Sequence, residues 1–271
     1  MNKESAPIGI FDSGIGGLTV LKEICKKLPH ESTVYLGDTA RVPYGIRSPE
    51  TVTRYSFENT RFLFSKEVKM IVVACNTASS VSLDAIKNSV PVPVIGVIEP
   101  GAKAAVAVTG NKKIGVIGTE ATIKSNSYAR AIMLIDDSIE VFGIACPLFV
   151  PLVEEGWTKG KIAEMIAQEY LKEMKRKGID TLVLGCTHYP LLKGILSAVM
   201  GEGINLIDSA IETAGEIETI LGNLSLLNTA GDNMRREFYV TDSPEKFRTV
   251  GEKFLGEPIH HIKKIELEME V

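Results

Sequence analysis

The chain has 271 residues, an apolar fraction of 45% and a formal net charge of −4 at pH 7. This length and composition are sufficient for one large or two ordinary globular domains. The acidic balance argues against a broad nucleic-acid surface, which needs a basic footprint. No apolar run approaches the roughly 18 residues that cross a membrane, and we identify no secretory signal. The four cysteines do not form a disulfide framework, so we expect free thiols in a cytoplasmic protein.

The first predicted strand, Ile8–Phe11, runs into a glycine-rich turn at 12–17. This turn is not a dinucleotide fingerprint, because the third glycine would fall at Thr19, and it lacks the lysine of a P-loop. It instead predicts a strand-to-helix turn of backbone N–H groups, with the Asp12 carboxylate and the Ser13 hydroxyl at its lip.

The second predicted strand, Val34–Gly37, ends at Asp38 and a loop at 40–45. Proline fixes the chain in this loop, and Tyr44 offers an aromatic face and a hydroxyl, which is typical of a binding loop. A long helix is predicted to begin after Ser48.

An apolar strand that ends in a cysteine occurs twice in the chain. The first stretch is Ile71-Val-Val-Ala-Cys75-Asn-Thr-Ala-Ser79, and the second is Thr181-Leu-Val-Leu-Gly-Cys186-Thr-His188-Tyr-Pro190. Parallel sheets place ligands where a strand opens into a loop and a helix N-terminus. We therefore expect both cysteines at the mouth of a site.

The strands Ile8–Phe11 and Ile114–Ile117 repeat with nearly the same offset as the two cysteines. Strands alternate with helices throughout, so parallel sheets follow. The fold class predicted is α/β, with two pseudo-symmetric parallel-sheet domains and the active site in the cleft between them. A strand at 237–241 and the elements after it are expected to return to the first domain, with a crossing at 99–101. The expected domains are residues 1–98 plus 209–271 and residues 99–208.

Three further predictions concern local structure. The run Pro91–Ile98 predicts a strand near a sheet edge, and Ser243 is expected to cap the last helix. An amphipathic helix at 158–177 should bury Ile162, Met165, Ile166, Leu171 and Met174.

Two buried cysteines would not by themselves indicate a catalytic role, since free cysteine is often buried. Helical spacing places Cys25 in the core, outside any site. A zinc site would use Cys75, Cys186 and His188, but there is no CxxC motif and no further histidine near either stretch. A hydrolase with one catalytic cysteine would leave the repetition unexplained.

Two like groups at equivalent strand ends suit a reaction that needs an acid and a base on opposite sides of one carbon. Inversion of a stereocentre is such a reaction: one thiolate removes the Cα proton, and the other thiol delivers a proton to the opposite face.

Four motifs together resemble the glutamate racemases: Phe11–Gly17, Asp38–Gly45, Ala74–Ser79 and Gly185–Pro190. The resemblance implies conversion of L-glutamate to D-glutamate for bacterial peptidoglycan, with no cofactor and no metal. It also implies two α/β domains, a small-molecule substrate, and no nucleic-acid or membrane partner. It leaves a homodimer open.

By position in these motifs, the resemblance assigns acid/base roles to Cys75 and Cys186. It implies that Asp12 assists Cys75 or holds the substrate ammonium, and that His188 and Glu154 support Cys186. The implied substrate contacts are Asp12, Ser13, Tyr44, Gly45, Asn76, Thr77, Thr119, Thr122, Thr187 and His188.

Structural roles compete with several of these assignments. Asp12 and Asp38 are also good helix caps, Tyr44 could simply pack its loop, and Glu155 competes with Glu154. Because neither cysteine motif contains an arginine, we expect amide, hydroxyl and backbone N–H donors to bind the carboxylates.

Other functions stay open at this stage. An aspartate or hydantoin racemase and a one-cysteine decarboxylase belong to the same superfamily, although the second cysteine disfavours the decarboxylase. A two-domain protein that closes on an amino acid without reacting would not need thiols. Restraint of DNA gyrase, a regulatory role of some glutamate racemases, gains no support from the acidic balance.

Overall fold

The protein is described here from a computed structural model covering residues 3–230 and 234–267. Within those residues the strands are β1 Ile8–Asp12, β2 Thr33–Gly37, β3 Met70–Val73, β4 Val94–Gly96, β5 Lys113–Gly118, β6 Glu140–Ala145, β7 Thr181–Gly185, β8 Asn205–Asp208, β9 Arg236–Val240 and β10 Ile262–Lys264. The α-helices are α1 Leu18–Lys27, α2 Pro49–Phe64, α3 Asn76–Lys87, α4 Ile98–Val108, α5 Glu120–Lys124, α6 Ser127–Met133, α7 Phe149–Glu154, α8 Lys161–Lys177, α9 Lys193–Met200, α10 Ser209–Asn223 and α11 Pro244–Leu255.

The strands form two sheets in which every strand pair is parallel. Sheet A has the order β10-β9-β2-β1-β3-β4, and sheet B has the order β6-β5-β7-β8. The segment β2-β1-β3-β4 of sheet A therefore has the same strand order as the whole of sheet B. This equivalence confirms the predicted fold class of two pseudo-symmetric parallel-sheet α/β halves.

The equivalent strands bring the repeated motifs to matching places. β1 and β5 are central strands, and β3 and β7 lie beside them in their sheets. Residues of β1, β3 and β7 are buried throughout, as expected for parallel strands covered on both faces. Cys75 and Cys186 follow the ends of β3 and β7 closely.

The C-terminal strands extend sheet A, because β9 pairs with β2 and β10 pairs with β9. The predicted return of the chain to the first sheet is confirmed at the level of strand pairing. Ile10 of sheet A and Leu184 of sheet B belong to one buried apolar cluster, so the two halves share a continuous core. The residue bounds of the two domains stay a prediction.

The crossing between the halves differs in form from the sequence prediction. Residues 99–101 lie in the first turn of α4, which tolerates Pro100 because its missing N–H would have no partner there. Helix α4 packs on β7 and β8, so the change of sheet occurs between β4 and α4. The predicted edge strand is confirmed as β4 at one edge of sheet A.

One prediction about a helix was confirmed only in part, and another was wrong. Helix α8 buries Leu171 and Met174 as predicted, together with Ala163 and Ala167, but leaves Ile162 and Met165 mostly exposed. Ser243 has a left-handed backbone (φ 50°), and its side chain makes no cap hydrogen bond to α11. None of the helices in the described part of the chain is long and apolar enough to cross a membrane.

Candidate active site

A small cavity lies where the carboxyl ends of the two sheets meet. Its free volume is about 60 Å³, room for only a few water molecules. Both halves supply its wall, which consists of Ser13, Gly14, Ile15, Val42, Pro43, Tyr44, Gly45, Cys75, Asn76, Thr77, Thr119, Val150, Glu154, Cys186, Thr187 and His188. Most of the predicted site residues are therefore brought together.

The two cysteines of the repeated motif both line this cavity, and each is a free thiol that is 6% exposed. Burial raises the pKa of the Cys75 thiol to about 12, and the negative charge of Asp12 adds to this rise. The side chain of Ser13 hydrogen-bonds the Cys75 sulfur and opposes the rise. In this structure Cys75 is therefore held as the neutral thiol at neutral pH.

Asp12 is fully buried at the end of β1. The backbone N–H of Gly14 donates a 2.8 Å hydrogen bond to its Oδ2, whereas its Oδ1 has no hydrogen-bond partner in the part of the chain that the structure describes. Burial raises the pKa of Asp12, and the nearby charge of His188 opposes that rise. Helix α1 is preceded by Gly17 as its N-cap, so Asp12 is not a simple helix cap.

His188 lies between a sulfur and a carboxylate. Its Nδ1 is 3.9 Å from Cys186 Sγ, and its Nε2 is 3.3 Å from Glu154 Oε1. Burial alone would lower the pKa of His188, but its hydrogen bonds to Cys186 and Glu154 raise that pKa to about 10. The imidazole is therefore a cation at neutral pH, and its charge stabilises negative charge on the Cys186 sulfur.

Glu154, rather than the exposed Glu155, faces His188. The hydrogen bond to His188 lowers the pKa of Glu154, against the effect of partial burial. Lys246 of α11 lies 3.8 Å from Glu154 Oε2. Lys246 could not be predicted from the sequence, because α11 is remote from the cysteine motifs in the chain.

Three threonine hydroxyls meet across the two halves. Thr77 Oγ1 is 2.9 Å from Thr119 Oγ1, which is 3.0 Å from Thr122 Oγ1. Thr119 also caps α5 by accepting a hydrogen bond from the Thr122 backbone. Thr77 and Thr119 line the cavity, whereas Thr122 is buried outside its wall.

The loop at 40–45 is anchored by hydrogen bonds to Asp38 and to helix α2. The Tyr44 hydroxyl donates to Asp38 and accepts from Asn59 Nδ2 at 3.1 Å. Asp38 also accepts from Arg41 Nε at 2.6 Å, so it organises the loop. The hydroxyl of Tyr44 is thus already engaged, although the residue itself lines the cavity.

Glycine permits close contact between the halves at two points. A Cβ at Gly45 would lie 2.8 Å from Thr119 Cβ, and one at Gly16 would lie 2.2 Å from Thr187 Oγ1. The hydroxyl of Thr19 also donates a 2.9 Å hydrogen bond to the Thr187 carbonyl. The loop that follows Cys186 therefore packs directly on the glycine-rich turn of the first half.

Asn76, the first residue of α3, is buried beside Cys75, and its Oδ1 accepts a 2.7 Å hydrogen bond from the Tyr128 hydroxyl. Its Nδ2 is buried, and no hydrogen-bond partner for it lies within residues 3–230 and 234–267. Sequence reasoning missed Tyr128, because nothing in its local pattern connects it with the cysteine stretches.

The cavity wall described above contains no arginine or lysine. Arg41 points to Asp38 and Glu58 instead. Donors for an anionic ligand are therefore amides, hydroxyls and backbone N–H groups, including those at the N-terminus of the twelve-residue helix α3. Across residues 3–230 and 234–267, no group of three or more His, Cys, Asp or Glu side chains is placed to hold a metal ion.

The fold and this site define an amino-acid racemase. Residues 13–217 match the Asp/Glu/Hydantoin racemase family model, and the chain belongs to that family. It is 53% identical to a glutamate racemase of Geobacter metallireducens over 97% of each chain.

Solved structures of glutamate racemases share the whole fold. One from Francisella tularensis, in complex with D-glutamate, has a TM-score of 0.92 and 41% identity, covering 98% of this chain and 99% of that one. One from Thermus thermophilus, in complex with beta-chloro-D-alanine, has a TM-score of 0.89 and 45% identity over the same shares.

Proposed function

We propose that the protein is a glutamate racemase that interconverts L- and D-glutamate by a two-thiol acid/base mechanism without metal or cofactor. The observation that carries this proposal is the position of Cys75 and Cys186, which follow equivalent strands of two sheets and line one cavity. Similarity to glutamate racemases over nearly the whole chain supports the choice of substrate.

In the proposed reaction, the thiolate of one cysteine removes the proton from Cα, and the C–H electron pair stays on the substrate as a carbanion. The thiol of the other cysteine then gives its proton to the opposite face. The enzyme is left with the thiol and the thiolate exchanged. The reverse reaction uses the same two groups in opposite roles.

The two sulfurs lie in different electrostatic surroundings. Cys75 is kept as the thiol by burial and by Asp12, whereas the cation of His188 faces Cys186. The Cys186 sulfur therefore lies beside a cation, whereas the Cys75 sulfur lies near the Asp12 carboxylate. The substrate ammonium would bring a positive charge toward Asp12, which lowers the cost of forming a thiolate on Cys75 later in the cycle.

The substrate carboxylates require donors, since the carbanionic state concentrates negative charge. Asn76, Thr77 and the N-terminus of α3 supply donors on the first half, and Thr187 supplies them on the second. The remaining proposed substrate contacts are Ser13, Tyr44, Gly45 and Thr119. Thr122 supports Thr119, and Glu154 supports His188.

In the cell, the D-glutamate formed would serve peptidoglycan synthesis in the cytoplasm.

The proposed domains are residues 1–98 plus 209–271 and residues 99–208. One chain supplies both thiols, so the proposed site does not require a homodimer.

A circular-dichroism assay tests the function. With L-glutamate, a chelator and no added cofactor, the optical signal should decay to zero as the racemic mixture forms. L-aspartate should leave the signal unchanged. Loss of activity in the chelator, restored by zinc, would instead assign Cys186 and His188 to a metal site. Racemisation of L-aspartate at an equal rate would favour another activity of the same family.

A further inference from the structure

A buried amide at the start of α3 has only part of its hydrogen bonding satisfied. Asn76 is 2% exposed, and the Tyr128 hydroxyl donates to its Oδ1. Its Nδ2 is buried and has no hydrogen-bond partner among the described residues. A buried amide donor left without a partner is costly, and Asn76 forms part of the cavity wall. The missing partner is therefore best supplied by the substrate.

Tyr128 reaches this amide from the other half of the molecule. It lies on α6, and its ring lies against the end of β7, where a Cβ at Gly185 would be 3.1 Å from the ring Cε2. Gly185 precedes Cys186, and Asn76 follows Cys75. A single tyrosine side chain thus contacts both cysteine segments.

The polarity of this contact determines which end of the amide faces the cavity. A tyrosine hydroxyl has one proton to donate, and its oxygen can still accept. The proton goes to Asn76 Oδ1, and the side chain of Ser209 also hydrogen-bonds the hydroxyl. Because the amide oxygen is the atom held, the amide N–H donors remain free for another group. A carboxylate requires donors of this kind.

We propose that Tyr128 is a positioning residue that holds the Asn76 amide with its N–H donors available to a carboxylate of the bound amino acid. This inference rests on the proposed function and assigns a role to a residue outside the cavity wall. The hydroxyl and the amide come from different halves, so the amide is oriented only when the halves are together. Substrate recognition is thereby coupled to the contact between them.

The variant Tyr128→Phe removes the hydroxyl and keeps the ring against Gly185. We expect the KM for both glutamate enantiomers to rise about five- to tenfold, with kcat changed by less than about twofold. Tyr239→Phe is the matched control, because Tyr239 is also buried and its hydroxyl donates to a side-chain oxygen, that of Glu237. Its KM should equal that of the wild type.

A double-mutant cycle separates positioning from general destabilisation. In an Asn76→Ala background, Tyr128→Phe should leave KM unchanged, because the amide that it orients is gone. An equal rise in KM in both backgrounds would overturn the inference.

Ser209→Ala is a second variant that keeps the test decisive if Tyr128→Phe does not fold. It removes one partner of the Tyr128 hydroxyl, and we expect KM to rise about two- to threefold. An active wild type with unchanged KM in Tyr128→Phe, or in Ser209→Ala if only that variant folds, would refute this inference and leave the proposed function intact. A wild type inactive on glutamate would refute both.

Discussion

At the scale of single residues, the site depends on buried charges that compensate one another. His188 is buried, yet its contacts with Cys186 and Glu154 keep it cationic. Burial and the negative charge of Asp12 instead keep Cys75 protonated. Two identical side chains at equivalent positions thus lie in different electrostatic surroundings, which suits a reaction with one acid and one base.

The raised pKa of His188 predicts a pH-dependent stability. Burial acts against the cation, but the hydrogen bonds to Cys186 and Glu154 raise the pKa from 6.5 to about 10. Its contribution to the free energy of unfolding is therefore complete below pH 6.5 and is lost as the pH rises through about 10. Urea unfolding of the wild type and of His188→Gln should show a stability difference that shrinks over this range. A difference that stays constant from pH 6 to 10 would contradict the assigned cation.

The two-thiol assignment predicts unequal effects of the four cysteines. Cys75→Ala and Cys186→Ala should each abolish racemisation, because each removes an obligatory proton donor or acceptor. Cys25→Ala should retain nearly full activity, since Cys25 is a half-buried residue of α1 away from the cavity. Cys146→Ala should lower the melting temperature, because Cys146 is fully buried, but it should keep most of the activity at 25 °C. Near-normal turnover by Cys186→Ala in both directions would end the assignment.

Site residues that belong to a local sequence pattern could be predicted. Cys75 and Cys186 follow apolar strands, so their place at the sheet ends could be predicted. Tyr128 and Lys246 act through contacts with residues far away in the chain, and no local pattern marks them. The engagement of the Tyr44 hydroxyl by Asp38 was missed for a related reason: nothing in the sequence shows where that hydroxyl points.

At the scale of elements, two turns hold the halves in contact at the cavity. The glycine-rich turn after β1 lies against the loop that follows Cys186, and the loop at 40–45 lies against the start of α5. Glycine occurs at both contacts because a Cβ would occupy space already filled. The strand-to-helix turns therefore determine the distance between the two thiol-bearing segments.

Gly16→Ala tests this contact. The added Cβ would lie 2.2 Å from Thr187 Oγ1 and 2.5 Å from the His188 ring, so the loop after Cys186 must move. We expect kcat/KM to fall by about 100-fold, since a misplacement of about 1 Å is enough for such a loss.

Gly194→Ala is the control for that experiment. Gly194 is an exposed residue of α9, and a Cβ there would meet nothing within 4 Å. Alanine favours the helix by about 0.5–1 kcal/mol, so the melting temperature should rise slightly at unchanged activity. Full activity of Gly16→Ala would show that the contact does not control the site.

The sequence predicted the type of a secondary-structure element better than it predicted which face of that element is exposed. The α8 pattern correctly indicated a helix, but its larger apolar residues Ile162 and Met165 lie outward. Helix α8 buries Ala163 and Ala167 together with the correctly predicted Leu171 and Met174. Periodicity identifies a helix without deciding which of two adjacent stripes faces the core.

At the scale of the whole molecule, the two halves enclose a cavity too small for glutamate. The volume of about 60 Å³ means that substrate entry requires the halves to separate or the loops to move. The continuous core that contains Ile10 and Leu184 opposes large separation. A ligand held by both halves should therefore stabilise the whole fold.

Thermal unfolding of Cys75→Ala measures this stabilisation without turnover. Both L- and D-glutamate at about 100 times Kd should add about 2.7 kcal/mol to the free energy of unfolding and raise the melting temperature by several degrees. L-aspartate at the same concentration should have a smaller effect, because its shorter side chain cannot span the same donors. An equal shift with aspartate would contradict the substrate assignment.

The central claim is that the two thiols stand on opposite faces of Cα, and racemisation in heavy water tests it most directly. The proton that one thiolate removes cannot return from the other thiol, which has already exchanged with solvent. D-glutamate formed early from L-glutamate should carry deuterium at Cα almost completely, while the remaining L-glutamate stays largely protiated. The reverse reaction should give the mirror result. Substantial protium in the early product, from both enantiomers, would show that a single base serves both faces and would contradict the two-thiol account.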